Sequence, residues 1–282
     1  MLEYHLEHYC KTALPLAVWD EKGTRRHQPV HIHNCVEMVF IYGGAGSCAV
    51  DDVHYAMLPG DIYIIPSGAT HEYFSDPSLK FYNIMFDRTL FTADELPLYE
   101  RFEHLRKHRS GQTGMELKYT FSPASIPFLL ELCRQVEQEL NLRREYFEYN
   151  AKGLFFQFLI FFIRNIGAAA GVNAANNRHR LSRVFDYISR HYTEKITLPQ
   201  LAALTGNSPA YLGKQFRRLV GVNISDYICR YRIEKARYEL ENSDDSIAEI
   251  AFRLGFCDAS YFVKSFQRFC GVTPAQYRGK KR

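Results

Sequence analysis

Between residues 28 and 90 the apolar positions come in short β-rich runs: Cys35–Tyr42, Ser47–Val50, Ile62–Ile65 and Phe81–Phe86. Turn-forming stretches separate them: Gly43-Gly44-Ala45-Gly46, Leu58-Pro59-Gly60-Asp61 and Pro66-Ser67-Gly68. Short strands at this spacing predict a β-sandwich or small barrel. Further along the period lengthens, and Ser125–Leu142 and Glu145–Ile166 predict two long helices. The second is apolar around much of its circumference, from Leu154 to Ile163. Such a helix must be covered, either by the barrel or by a second subunit. Residues 167–177 are small and polar without an apolar period, which predicts a linker. From Arg180 onward the pattern is helical throughout. The expected chain is multidomain α+β, with a barrel over 1–110, a helical and potentially dimerising segment over 111–166, a linker over 167–179 and an all-α domain over 180–282.

The all-α part contains a repeat. Ser208–Gly221 recurs as Asp258–Gly271, with Tyr211, Phe216 and Gly221 matching Tyr261, Phe266 and Gly271 at an offset of 50 residues. Each copy follows a capping box, Thr197-Leu-Pro-Gln200 and Ser246-Ile-Ala-Glu249, that opens a short helix. Gly206 and Gly255 then supply the left-handed turn. The layout is a helix-turn-helix, present twice.

In the second helix of each unit one stripe is apolar, with Leu212, Phe216 and Leu219 in the first and Phe262, Phe266 and Phe269 in the second. The opposite stripes are Ala210, Gly213, Lys214 and Arg217, and Ser260, Val263, Lys264 and Gln267, spaced i, i+3, i+4, i+7. Small residues beside one long cation suit a helix that enters a DNA groove. Arg218 and Arg268 flank the stripes and suit phosphate contacts. A single basic helix face is ordinarily solvated surface; two matched faces argue for DNA. Asn223–Asn242 predicts a joining helix of about 30 Å, close to the roughly 34 Å of one turn of B-DNA. One chain can then read two successive major grooves.

Charge sharpens the division. Residues 1–177 hold 16 Lys and Arg against 21 Asp and Glu, whereas residues 178–282 hold 19 against 10. The formal charge of +4 therefore splits into a mildly acidic half and a strongly basic one, as expected of a sensing domain joined to a polyanion-binding domain. The seven cysteines are an odd number without CxxC spacing, which fits reduced thiols. Leu154–Ile163 is too short to span a bilayer, and no signal-peptide pattern opens the chain. A cytoplasmic protein without a membrane partner is expected.

Thr197–Arg278 resembles the DNA-binding domain of the AraC/XylS family of transcription regulators, through Ala251-x3-Gly255-Phe256, Ser260-Tyr261-Phe262-x3-Phe266, Gly271-x-Thr273-Pro274 and Tyr277-Arg278. The resemblance implies base contacts from Ala210, Gly213, Lys214, Ser260, Val263 and Lys264. It also implies effector-responsive activation through RNA polymerase; a homodimer is expected from the apolar helix.

The β-rich half has its own pattern. His31-Ile-His33-Asn-Cys-Val-Glu37 with Gly44, and Gly60-x5-Pro66-x-Gly68-x2-His71, resemble the two cupin motifs, with departures at Arg25 and Ser75. His31, His33 and Glu37 share strand parity. With His71 from a neighbouring strand they form a candidate three-histidine, one-carboxylate metal site. Such a site suits oxygenase, isomerase or epimerase chemistry. The same side chains better suit the polar lining of a metal-free effector pocket, together with Tyr73, Tyr82 and Asn83, and also suit purely structural hydrogen bonding; no cofactor is required, a divalent metal in the barrel being the alternative. Resemblance to sugar-responsive regulators points to a carbohydrate effector. The expected function is a sequence-specific, effector-responsive DNA-binding activator that is not an enzyme. The alternatives are a metal-dependent cupin enzyme with an accessory DNA-binding domain and an effector-independent DNA-binding dimer.

Overall fold

In the computed structural model, which describes residues 2–21, 27–50, 53–75, 79–108, 118–166 and 172–279, the strand-rich half forms two five-stranded sheets. In sheet order the first contains β1 (Leu2–Tyr4), β3 (His27–His33), β8 (His71–Ser75), β5 (Gly46–Val50) and β6 (Val53–Met57). The second contains β10 (Lys118–Thr120), β7 (Asp61–Ile65), β4 (Val36–Gly43), β9 (Lys80–Phe86) and β2 (Leu16–Glu21). Only β1 and β3 pair in parallel among the described residues. Val39, Ile41, Tyr63 and Phe81 of the second sheet pack on Cys48, Val50, Met57 and Tyr73 of the first, closing the barrel interior.

The outer face of the second sheet is equally apolar. Met38, Phe40, Ile62, Ile64, Ile84 and Phe86 join one core with α1 (Leu96–His108), α2 (Ile126–Leu142) and α3 (Phe147–Asn165). Burial on both faces explains why β4 and β9 read as continuous apolar runs instead of alternating. It also settles what covers α3. Its Phe155 lies 4.8 Å from Phe86, Phe162 lies 5.0 Å from Tyr119 and Phe158 lies 6.3 Å from Phe40, ring centre to ring centre. The sheet does most of the covering, and Leu154, Ile160 and Phe161 stay half-buried.

Two expected boundaries move. Helix α1 lies inside the segment expected to be barrel, and β10, inside the segment expected to be helical, completes the second sheet by pairing with β7. The expected linker is also shorter: α4 (Val172–His191) is helical through residues 172–179. No Pro or Gly interrupts 172–191, and Leu181, Val184, Phe185 and Ile188 form a buried i, i+3, i+4, i+7 stripe. Once that stripe nucleates the helix, extending it through Ala174 and Ala175 is favourable.

The two helix-turn-helix units form as expected: α5 (Leu198–Thr205) with α6 (Pro209–Val220), and α8 (Ile247–Arg253) with α9 (Ala259–Cys270), followed by α10 (Pro274–Gly279). Both capping boxes are present. Helix α7 (Ile224–Asn242) belongs to both units. Its Ile224, Tyr227 and Ile228 enter the first core, and its Ile233, Ala236 and Leu240 enter the second. The Arg232 guanidinium, near the middle of α7, donates to the carbonyls of Tyr192 at 2.6 Å, Glu194 at 2.6 Å and Gly255 at 2.8 Å. The loop after α4 is thereby fastened to the turn of the second unit. Gly255 has φ +83°, and a Cβ there would meet the Thr193 carbonyl oxygen at 2.4 Å.

The barrel also touches the first unit directly, since Ala45 and Leu58 lie in the same core as Leu181, Val184 and Phe185. All seven cysteines are free thiols. Among the described residues no helix is long and apolar enough to cross a membrane.

Gly255→Ala combines left-handed backbone strain with a clash against backbone and should destabilise the C-terminal domain by roughly 1–3 kcal/mol. Arg232→Met strips three carbonyls of a charged donor and should cost about 2–4 kcal/mol. Chemical denaturation of the full chain, followed by helical circular dichroism, measures both.

Candidate DNA-reading face and barrel site

Each recognition helix is set by its N-cap. The Ser208 Oγ accepts from the Tyr211 amide at 3.3 Å, and Asp258 accepts from the amides of Ser260 at 2.9 Å and Tyr261 at 3.2 Å. Gly221 and Gly271 end α6 and α9 with left-handed backbone. Leu212, Phe216, Phe262 and Phe266 are fully buried, so the opposite stripes must face outward. Ala210, Lys214, Arg217, Arg218, Ser260, Lys264, Gln267 and Arg268 are exposed, with Gly213 and Val263 half-buried between them. Lys214, Lys264, Arg217 and Arg218 make no ion pair among the described residues. Arg268 differs, because it pairs loosely with Asp226 of α7 at 3.4 Å and lies over the Phe269 ring. Tyr211 and Tyr261 are exposed at equivalent positions on the same faces. Sequence reasoning used them as markers of the repeat and gave them no role; their identity at one offset was the available signal.

Inside the barrel, β3 and β8 pair with His31 opposite His71. His33 follows two residues on, and Glu37 opens the interior face of β4. All four side chains are buried. Ring nitrogens of His31, His33 and His71 lie within 4.8 Å of one another. Glu37 Oε2 is 3.0 Å from His71 Nε2 and 3.4 Å from His33 Nε2. Burial alone would raise the Glu37 pKa, but hydrogen bonding and charge from His33 and His71 outweigh it and hold the carboxyl below the usual carboxylate range.

His71 Nδ1 lies 3.1 Å from the Ala69 carbonyl, which assigns the Nδ1 proton to that bond. Nε2 of a neutral His71 then directs a lone pair at a carboxylate oxygen, an arrangement that is attractive only with a cation between them, either a proton or a metal ion. Two donors about 2.1 Å from one ion and at right angles to each other would stand about 3 Å apart, as these two atoms do. The three histidines, whose ring nitrogens all lie within 4.8 Å of one another, fit a divalent metal, with the Ala69 carbonyl as the outer partner that orients His71.

Residues 19–143 match the model of the AraC-like ligand binding domain, and residues 201–280 match that of a helix-turn-helix domain. The chain belongs to the AraC family of transcriptional regulators. It is 26% identical over 253 residues to the HTH-type transcriptional activator RhaR of Salmonella dublin, spanning 88% of this chain and 86% of that protein. An uncharacterized HTH-type transcriptional regulator of Staphylococcus aureus is 35% identical over 105 residues, 37% of this chain and 14% of that protein. Among solved structures, the DNA-binding domain of AdpA in complex with a target DNA is 31% identical with a TM-score of 0.35, covering 36% of this chain and 93% of that one. An apo ToxT variant from Vibrio cholerae is 16% identical with a TM-score of 0.34, covering 93% of this chain and 96% of that one.

In this AraC-family regulator the barrel brings together six of the seven expected effector residues. Tyr73 packs 5.5 Å from the His71 ring, and burial pushes its phenol pKa well up. Asn83 pairs with Val39 and Trp19 across the sheet and faces inward. Tyr82 is the exception. It points out of the barrel and donates to Glu137 of α2 at 3.0 Å, in an external cleft of about 710 Å³ that it shares with Asp20 and Tyr42. Adjacent strand residues face opposite ways. With both faces of β9 apolar, the sequence does not reveal which face is inside. Of the two motif departures, Arg25 lies outside the described residues, and Ser75 ends β8.

The residues that sequence reasoning missed come from the N-terminal segment. Tyr4 lies 5.0 Å from His31 and 5.7 Å from His33. Tyr9, 6.3 Å from His33, stacks on Trp19 at 5.2 Å with rings 4° from parallel. Tyr9, Trp19 and Asn83 line a cleft of about 480 Å³. Trp19 is the only Trp of the chain, which was its one signal.

Glu37→Gln should destabilise the barrel by about 1–3 kcal/mol at pH 7, because it weakens two buried partners. A carboxylate with a depressed folded pKa adds stability above its ordinary value of 4.5 and loses it as pH falls below that value. The difference between E37Q and wild type in thermal unfolding should therefore shrink towards pH 3.

Proposed function

We propose that this regulator activates transcription by reading two successive major grooves through α6 and α9, and that it responds to a carbohydrate effector held in the barrel. The observation that carries the DNA reading is the pair of matched, exposed faces on one shared spine. Helix α7 has 19 residues and extends roughly 28 Å, which supports placement of the two faces about one DNA turn apart. Lys214 and Lys264 read base edges beside Ala210, Gly213, Ser260 and Val263. Arg217, Arg218, Gln267 and Arg268 hold phosphates. The name of the similar activator supports activation, with RNA polymerase as the further partner. A homodimer is favoured by exposed Phe128 of α2, whose ring lies 5.1 Å from that of half-buried Phe161 of α3. The cytoplasm is the compartment where free thiols and DNA coincide.

In the barrel, His31, His33 and His71 would hold a divalent metal, with Glu37 beside them. When bound, that ion supplies a Lewis-acidic position for an effector oxygen. The Tyr9–Trp19 stack offers a flat apolar wall for a sugar ring, and Asn83 offers an amide for its hydroxyls, the mixture of apolar wall and few polar groups expected of a small-molecule site. The centre serves sensing, and the chain is not an enzyme.

Lys214→Ala and Lys264→Ala should each weaken binding to a selected DNA site by about 1–3 kcal/mol and relax specificity at different positions of it. Arg217→Ala and Arg218→Ala should weaken all sequences alike and lower the salt slope by about one each. Fluorescence anisotropy across a salt series separates the two classes; unchanged affinity in all four variants would refute the assignment. Elemental analysis of purified protein should find about one first-row divalent ion per chain, lost in the His31→Ala/His71→Ala double variant. A metal-free wild type that still binds a sugar would leave the cluster as a polar lining.

A further inference from the structure

Strand β8 has two working faces. His71 and Tyr73 point into the barrel, and Glu72 between them points the other way. The Glu72 carboxylate accepts from the ammonium of Lys235 at 3.1 Å, and both side chains are mostly buried, 15% and 20% exposed. Lys235 belongs to α7, one helical turn beyond Arg232, and its ammonium lies 5.9 Å from the Tyr231 ring centre. Burial pulls the Lys235 pKa down, and Glu72 acts against that fall. A further contact of the barrel with the DNA-binding domain, through Ala45 and Leu58, is apolar. An ion pair half removed from water fixes direction as well as distance, and either charge left alone there is costly.

The position matters more than the strength. Lys235 lies on the part of α7 that enters the second core, between Ile233 and Ala236 and one turn beyond the Arg232 clamp. A displacement of β8 that follows His71 is carried by the same backbone to Glu72, and through Lys235 to the spine that sets both recognition helices. We propose that Glu72 and Lys235 are positioning residues through which the barrel site sets the placement of the two DNA-reading units. The identity of the occupant rests on the metal reading above; the mechanical link does not.

The test uses the full chain, nickel ion as probe, and a DNA fragment that the wild-type protein selects from a random pool. The variants are Glu72→Gln, Lys235→Met and the charge-swapped pair E72K/K235E. In wild type, nickel should change DNA affinity by at least about fivefold. In E72Q and K235M nickel should bind with unchanged stoichiometry while that change falls below about twofold, and the swapped pair should recover it. Hydrogen exchange without DNA or nickel gives the second readout: α7 amides around Lys235 should exchange faster in both single variants and return towards wild type in the swap. A full nickel response in E72Q, or no recovery in the swap, overturns the proposal. If wild type binds no nickel, the metal reading fails alone, and the link is decided by exchange: unchanged α7 protection in E72Q and K235M overturns it.

Discussion

Arg232 stands between two helix ends. The carbonyls it binds belong to Tyr192 and Glu194, just beyond α4, and to Gly255, in the turn after α8. Carbonyls just past a helix end have no partner within the helix. One guanidinium satisfies three of them at fixed angles, which the single ammonium of a lysine could not do. It does so from α7, the helix both units share. Gly255 allows the approach, since a side chain there would strike Thr193. Without this junction the domain would be two small cores, of the kind that are marginal alone, joined by a helix whose ends could turn independently. With it, α6 and α9 hold one orientation relative to each other.

The barrel solves a different problem. Its second sheet is buried on both sides, by the first sheet and by α1–α3. Apolar packing therefore holds the frame, and the interior can carry three histidines and a carboxylate without being the main source of stability. Buried polar groups of this density are tolerated only when they satisfy one another or hold a ligand. The Glu37 contacts to His33 and His71, the Ala69 carbonyl on His71 and the Tyr4 and Tyr9 rings fix the cluster from several directions. The strand that supplies His71 also carries Glu72, whose outward side chain pairs with Lys235 of α7.

Much of the DNA-binding half was legible because its signals are local. Capping boxes, turn glycines and a 3.6-residue apolar stripe lie within about a dozen residues of one another, and the repeat supplied an internal control. Lys214 and Lys264 were placed correctly on outward faces for that reason. The strands of β4, β5, β7 and β9 were legible for the same reason. β2 and β10 were not, because pairing with distant partners makes them strands. The expected linker failed at Val172 because a polar, alanine-rich stretch is coil or helix according to what its neighbour nucleates. Tyr82 was assigned inward because β9 carries no alternation to show which face is buried.

By itself the sequence determined the two helix-turn-helix units, their N-caps, the parity that puts His31, His33 and Glu37 on one face, and the basic charge of the DNA-reading half. These depend on spacing along the chain, and backbone geometry converts spacing to position without further information. Only the tertiary structure decided that Arg232 fastens the units, that Tyr4 and Tyr9 stand beside the histidines, that Tyr82 faces α2 and that Glu72 meets Lys235. Those contacts join residues up to 163 positions apart. Their partners are chosen by how sheets and helices pack, and packing is a property of the whole chain that no local pattern encodes.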